Sequence, residues 1–235
     1  MTPPSDTPAP SDYDGDVSPG GPAQTRELAH LVITKVAVDP EMSNNCYLLR
    51  CRHTGEQVLV DAAADAATLL GLVGEAGLDT VVTTHQHWDH HRALAEVVAA
   101  TGAEVVVGTP DADAVTEQTG VTVTRRVWAG DTVAVGDCTL QVVPIAGHTP
   151  GSVALVYDDR PSGGRPHLFT GDSLFPGGVG NTFGDEAAFA QLVDEVETKL
   201  FDALPDDTWF YPGHGGDSTL GAERASIPEW RARGW

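Results

Sequence analysis

The sequence predicts an α/β chain in which two stacked β-sheets lie between outer helix layers. Three observations point there. Blocks of strand, helix and strand occur twice along the chain. Each β-rich half carries helices able to cover one sheet face. At 235 residues and 41% hydrophobic composition, there is enough chain for one substantial core.

Met1–Arg26, "MTPPSDTPAPSDYDGDVSPGGPAQTR", is dense in Pro, Ser, Asp and Gly and poor in large apolar residues. Such a segment buries too little surface to offset its ordering entropy, so residues 1–26 are expected to form a disordered tail ahead of a domain at 27–235. In that domain "HLVITKVAV", "NNCYLLRC" and "VLVDA" read as an N-terminal meander of β-branched and apolar runs bounded by turn residues. "ADAATLLGLVGEAG" has helical apolar spacing and ends at Gly77, and "LDTVVTTH" is a short buried strand. "HRALAEVVAATG" supplies the next helix, with Gly102 as its stop. After "AEVVVG" and a short helix in "PDADAVTEQTG", strands return in "DTVAVGDCTLQVVPI", "GSVALVYDD" and "PHLFTGD". A long amphipathic helix is predicted from Asp185 to Leu204, then a strand in "TWFYPG" and a last helix in "DSTLGAERASIPEWRARGW".

Charge and cysteine content narrow the function. With 34 acidic against 13 basic residues, a net charge of −21, the chain repels a phosphate backbone, so no nucleic-acid partner is expected. Three cysteines, Cys46, Cys51 and Cys138, are an odd count without repeating spacing and suit a reducing compartment. No signal pattern opens the chain, and no apolar run approaches the roughly 20 residues of a membrane helix, so a cytoplasmic protein with no membrane partner is expected. The sequence is silent on oligomeric state.

"TTHQHWDHHRAL" crowds His85, His87, Asp89, His90 and His91 into one short stretch after an apolar run. At the end of an extended segment side chains alternate, so His85 and His87 point the same way and can grip one ion together. Asp89 and His90 follow where the chain turns, and can address a second ion beside the first. Imidazole and carboxylate suit zinc, iron or manganese, and each ion needs three or four groups converging from several places. His148 in "IAGHTPGS", Asp172 in "FTGDSLF" and His214 in "YPGHGG" each lie at a predicted strand end beside glycine.

These motifs in this order, H-x-H-x-D-H, G-H-T-x-G-S, T-G-D and a late G-H, resemble the metallo-β-lactamase superfamily, in particular its glyoxalase II-like (hydroxyacylglutathione hydrolase-like) hydrolases. The resemblance runs from Leu31 to Trp235. It implies a four-layer αββα sandwich with the site at one edge of the sheets. It also implies a binuclear hydrolase, with His85, His87 and His148 on one metal, Asp89, His90 and His214 on the other, and Asp172 bridging. Asp61 in "VLVDAAAD" matches the family's aspartate after an early strand and would orient a ligand histidine. Two divalent ions, zinc first with iron or manganese as alternatives, would give a bridging hydroxide. The substrate would then be a small activated ester, thioester or lactone, with Asp89 and Asp172 as the catalytic carboxylates. The family's glutathione-specific members carry an additional helical domain; this sequence stops at Trp235, just after the core, so glutathione recognition is not carried over. "STLGAERASIP" resembles the T-[IL]-G-x-E-R-x-x-N-P closing motif of related small enzymes, with Ile227 at the asparagine position.

Two other readings use the same residues. A persulfide dioxygenase would hold one iron on His85, His148 and Asp172. A nuclease or non-catalytic relative would show a basic groove or a lost ligand, and neither is evident. Asn181 and Thr182 in "LFPGGVGNT" are expected to contact substrate, and Trp88 to wall the site. His91 reads as an ordinary polar contact, His30, His53 and His167 as surface residues, and Asp14, Asp16, Asp158 and Asp159 as loop carboxylates.

Overall fold

A computed structural model of the chain describes residues 13–234. The first sheet is laid down in chain order: β1 (Gln24–Glu27), β2 (Leu31–Ala37), β3 (Asn45–Cys51), β4 (Gln57–Val60), β5 (Thr80–Thr83), β6 (Glu104–Gly108) and β7 (Arg125–Val127). β1 to β4 pair antiparallel, whereas β4 to β7 pair parallel because helices supply the crossovers. Those helices are α1 (Ala66–Val73) and α2 (Leu94–Thr101), with α3 (Ala112–Thr119) between β6 and β7.

The second sheet begins with β8 (Thr132–Val135), β9 (Cys138–Pro144), β10 (Val153–Asp158) and β11 (Pro166–Gly171). A small hairpin, β12 (Leu174–Phe175) and β13 (Gly178–Val179), precedes α4 (Glu186–Val196); β14 (Trp209–Pro212) and β15 (Ser218–Thr219) complete the sheet. Its order is β15-β14-β11-β10-β9-β8, and only the β11–β14 pair is parallel. Two short helices, α5 (Leu220–Glu223) and α6 (Ile227–Arg233), follow.

Period-two alternation explains the layers. On β2, β3 and β4, the side chains of Leu31, Ile33, Tyr47, Leu49, Val58 and Val60 face the second sheet, meeting Leu140, Leu155, Phe169 and Tyr211. The intervening residues, among them Leu48, Leu59, Val81 and Val105, pack under α1, α2 and α3 with Leu69 and Val97. On the far side, Ala154, Val156, Leu168 and Phe210 meet Phe189, Leu192, Val196 and Trp230 of α4 and α6. The result is the αββα sandwich the sequence implied.

Several elements depart from expectation. The segment from Tyr13 to Arg26 is packed on the domain, not a disordered tail; residues 1–12 lie outside the described residues. The Tyr13 hydroxyl donates to Asp217, the Gly15 carbonyl accepts from Lys35, and β1 pairs with β2, so individual contacts override composition. His167 is 2% exposed, not a surface residue, because it stands two positions before Phe169 on the inward face of β11, with Nδ1 2.8 Å from the Tyr211 hydroxyl. The helix predicted to reach Leu204 is capped by Asp185, which accepts from the N–H groups of Ala187 and Ala188, and widens into a π turn at Glu197–Phe201. The first predicted helix closes at Gly74, with a 3-10 turn before Gly77. Among the described residues no helix is long and apolar enough to cross a membrane.

Candidate metal centre

All seven predicted ligands converge at one edge of the sandwich, from loops that follow strand ends. β5 leads into His85 and His87, and a 3-10 turn at Trp88–His90 sets Asp89 and His90. From the second sheet come His148 in the β9–β10 loop, Asp172 directly after β11 and His214 after β14. Three groups have donor atoms within 4.8 Å of one another: His85, His87 and His148; His85, His90 and Asp172; Asp89, His90 and His214.

The first group is a triangle of nitrogens. His85 Nε2 lies 3.2 Å from His87 Nδ1, His87 Nδ1 2.9 Å from His148 Nε2, and His148 Nε2 3.2 Å from His85 Nε2. In the group of Asp89, His90 and His214, His90 Nε2 and His214 Nε2 are 3.3 Å apart, and Asp89 Oδ2 lies 3.5 and 3.4 Å from them. Asp172 stands between the groups, with Oδ2 3.6 Å from His148 Nε2 and 3.4 Å from His214 Nε2, and Oδ1 3.2 Å from His90 Nε2.

The outward nitrogens fix which atoms face in. His148 Nδ1–H donates to the Asn181 carbonyl at 2.8 Å and His214 Nδ1–H to the Met42 carbonyl at 2.8 Å. His90 Nδ1 meets Asp61 Oδ2 at 2.8 Å, and His85 Nδ1 meets Thr84 Oγ1 at 3.1 Å. Asp61 also accepts from the Thr84 N–H and hydroxyl at 2.7 and 2.9 Å, so one carboxylate orients His90 directly and His85 through Thr84. Its backbone is held at φ 59°, a strained conformation for a non-glycine residue.

The residues present fit a pair of cations. Tetrahedral zinc, with bonds of about 2.0–2.1 Å to nitrogen, sets neighbouring ligand atoms roughly 3.3 Å apart, close to the spacings found here. The ring nitrogens of His85, His87 and His148 crowd within 2.9–3.2 Å of one another, and Asp172 Oδ1 is buried without a hydrogen-bond partner. A Cβ on Gly213 would collide with Asp172 Oδ1 and come 2.7 Å from His90 Cε1, so only glycine fits there.

Electrostatics separate the two groups. Burial holds His85, His87 and His148 below the usual histidine range, ready as neutral donors. Burial also opposes charge on His90 and His214, but Asp172 and Asp61 outweigh it at His90, and Asp172 and Asp89 raise His214 to about 9. Burial likewise disfavours ionised Asp89 and Asp172, yet His214 and His90 hold both below the usual carboxylate range. A metal ion would replace the protons on His90 and His214.

Sequence reading missed several supports. Asn44 Nδ2 donates to Asp89 Oδ2 at 2.9 Å. Asp111 accepts from the Gln86 and Gly151 N–H groups at 2.9 and 2.7 Å and from the Thr149 hydroxyl at 2.6 Å, tying the His85–His87 stretch to the His148 loop. Asn181 and Thr182, expected to reach substrate, are engaged within their own loop: the Asn181 side chain accepts from the Phe183 N–H, and the Thr182 hydroxyl donates to the Asp185 carbonyl. His91 turns away and bonds the Gln86 carbonyl.

The profile described as "Metallo-beta-lactamase superfamily" matches residues 39–214, a span that begins before Asp61 and ends on His214. This chain belongs to the metallo-β-lactamase superfamily. A hydroxyacylglutathione hydrolase from Rhodospirillum rubrum is 32% identical over 189 residues, covering 80% of this chain and 67% of that protein. The chain spans about two thirds of the length of the curated hydrolases it matches. Among solved structures, ETHE1 from Myxococcus xanthus is similar with a TM-score of 0.71 at 29% identity, covering 85% of this chain and 84% of that one. TTHA1623, solved in a di-iron-bound form, is similar with a TM-score of 0.62 at 30% identity, covering 83% and 98%. Superfamily membership and these hydrolase relatives identify a metal-dependent hydrolase of glyoxalase II-like type.

Proposed function

We propose that the site holds two divalent metal ions, zinc first, and hydrolyses a small activated ester, thioester or lactone. One observation carries the reading: seven donors converge as two adjoining triads with Asp172 between them. His85, His87 and His148 would hold one ion, Asp89, His90 and His214 the other, and Asp172 both. When bound, such ions bring the ionisation of water near neutral pH and polarise a carbonyl.

The chain's own residues set the geometry for that chemistry. Asp61 locks His90 and, through Thr84, His85. The carbonyls of Asn181 and Met42 fix the tautomers of His148 and His214, and Asn44 restrains Asp89. Asp89 and Asp172 are the two carboxylates facing the reacting space, and their charge balances the cations. Cys46, Cys51 and Cys138 are free and buried, which supports a reducing, cytoplasmic setting.

A second reading, a one-iron persulfide dioxygenase on His85, His148 and Asp172, draws support from the likeness to ETHE1. Against it, Asp89, His90 and His214 form a second complete group for which one iron has no direct use. The deciding experiment loads the protein with zinc or iron and offers a thioester and lactone panel without oxygen. Cleavage by the zinc form is expected. Oxygen uptake with glutathione persulfide by the iron form, without any anaerobic hydrolysis, would overturn the hydrolase reading.

A further inference from the structure

The fold leaves three large apolar side chains in solvent among the described residues: Met42 at 39%, Trp88 at 54% and Phe183 at 72% exposure. They come from three different loops, yet each adjoins the donor cluster. The Met42 carbonyl accepts from His214 Nδ1 at 2.8 Å. Trp88 stands between His87 and Asp89 in the chain. The Phe183 ring meets the His87 ring edge-on with centroids 5.6 Å apart, and lies 6.3 Å from the ring of His148. Exposed apolar residues scattered singly are ordinary, whereas these three stand on loops that carry or hold the donors, with the Phe183 ring directly against two of them.

Loop construction supports that role. Phe183 is held at φ 55°, a left-handed conformation that bulky side chains rarely adopt, and Ser43, beside Met42, is also at φ 55°. Both loops are braced for it. Asn181 Oδ1 accepts from the Phe183 N–H at 2.7 Å, and Asp39 Oδ1 from the N–H groups of Glu41 and Met42 at 2.7 Å each. Arg92 stacks on Trp88 with its guanidinium carbon 4.7 Å from the ring centroid, and its charge is met by the Asp39 carboxylate. An anionic substrate would therefore find this cation already paired, on a chain of net charge −21.

We propose that Met42, Trp88 and Phe183 form the substrate-recognition rim and take an uncharged alkyl or aryl group next to the scissile carbonyl. The preferred substrates are then neutral, apolar thioesters, esters or lactones, not glutathione conjugates. This rests on the hydrolase reading. In the reaction, water oxygen bonds to the carbonyl carbon, the C–S or C–O bond breaks, one proton goes to the departing sulfur or oxygen, and the other leaves with ionisation of the new acid.

The test uses the zinc-loaded full chain and thioesters of one neutral thiol, N-acetylcysteamine, with acyl chains of about two to eight carbons. Expected is a rise in kcat/KM of roughly two- to fourfold per methylene, the upper figure being that of a fully buried methylene. The neutral thioester should be preferred over the glutathione thioester of the same acid. Phe183→Ala and Trp88→Ala should flatten the slope. Phe183→Gly accepts the positive φ without strain and serves if the alanine variant fails to fold.

Binding of the matching thioethers, which have no carbonyl to hydrolyse, gives a second readout by calorimetry. Affinity should grow with chain length in the wild type and not in Phe183→Ala. If hydrolysis proceeds with no chain-length dependence, or favours glutathione thioesters, the rim assignment falls and the hydrolase stands. If no thioester is cleaved while longer thioethers bind more tightly, the hydrolase falls and the rim stands. A concentration-dependent dimer that Phe183→Ala abolishes would make the rim a contact between copies and overturn the proposal.

Discussion

Lys35 and Asp217 are buried at least as deeply as the histidine cluster, yet nothing about them asks for a ligand. The Lys35 ammonium meets Asp217 Oδ1 at 2.6 Å and the carbonyls of Gly15 and Gly215 at 2.6 and 2.8 Å, so its three protons are used. Asp217 Oδ2 accepts from the Tyr13 hydroxyl at 2.7 Å and Trp209 Nε1 at 2.9 Å. That cluster is complete in protein atoms. At the other, the ring nitrogens of His85, His87 and His148 crowd within 2.9–3.2 Å of one another and Asp172 Oδ1 has no hydrogen-bond partner. Burial and charge are common to both clusters; what separates an architectural cluster from a ligand site is whether the hydrogen-bond accounting closes.

Breaking each cluster should have different consequences. Asp172→Ala removes the donor shared by both groups, and should cost more activity than the roughly 10–100-fold expected of an outer contact. Elemental analysis should show loss of bound metal in parallel; near wild-type turnover would remove Asp172 from its bridging role. Lys35→Met should act on stability alone, because it strands a buried carboxylate, at about 3–5 kcal/mol. Urea unfolding would measure that, and an unchanged midpoint would mean water already reaches Asp217.

Intermediate effects test the links between region and role. Removing residues 1–26 deletes the Tyr13 and Gly15 contacts to the complete cluster, so the melting temperature should fall while metal content per folded chain stays constant. An unchanged melting temperature would make this segment a passive cover. Asp61→Asn should cost about 10–100-fold in metal affinity or activity, through its hold on His90 and His85.

The smallest effect concerns pH. In metal-free protein His214 is raised from 6.5 to about 9, so its contribution to stability is complete below about pH 6.5 and lost as pH rises through about 9. Metal competes with that proton, so metal affinity should increase over the same interval. Thermal melts and metal titrations at both ends of the window should move in opposite directions; parallel movement would refute the assignment.

How much of this was legible beforehand follows from where the information lies. His85 to His90 are contiguous and chemically distinctive, and His148, Asp172 and His214 each follow a strand beside glycine, so the cluster can be read from sequence. Asp61 was legible only through the family resemblance, as an aspartate after an early strand. Asp111 and Asn44 could not be read, because their partners arrive from other loops and no local pattern distinguishes them from surface polar residues. Phe183 was hidden beside Asn181 and Thr182 by a backbone conformation that residue type does not announce. The inward position of His167 was available in the alternation with Phe169, had period two been weighed above the usual exposure of histidine. Composition misjudged residues 13–26 because a few specific contacts, Tyr13 with Asp217 above all, do not register in an average.

The sheets are consecutive in the chain: β1 to β7 lie before Trp128 and β8 to β15 after Gly130, with a single covalent passage between them. That passage divides the donors as well, leaving His85, His87, Asp89 and His90 on one side and His148, Asp172 and His214 on the other. Neither piece holds a whole first or second donor group. A protein nicked at Gly130 would therefore have its halves joined by core packing and by whatever cation they share, and a chelator would weaken their association. A metal held there would thus double as a clasp, and its binding would report that the two halves have met in register.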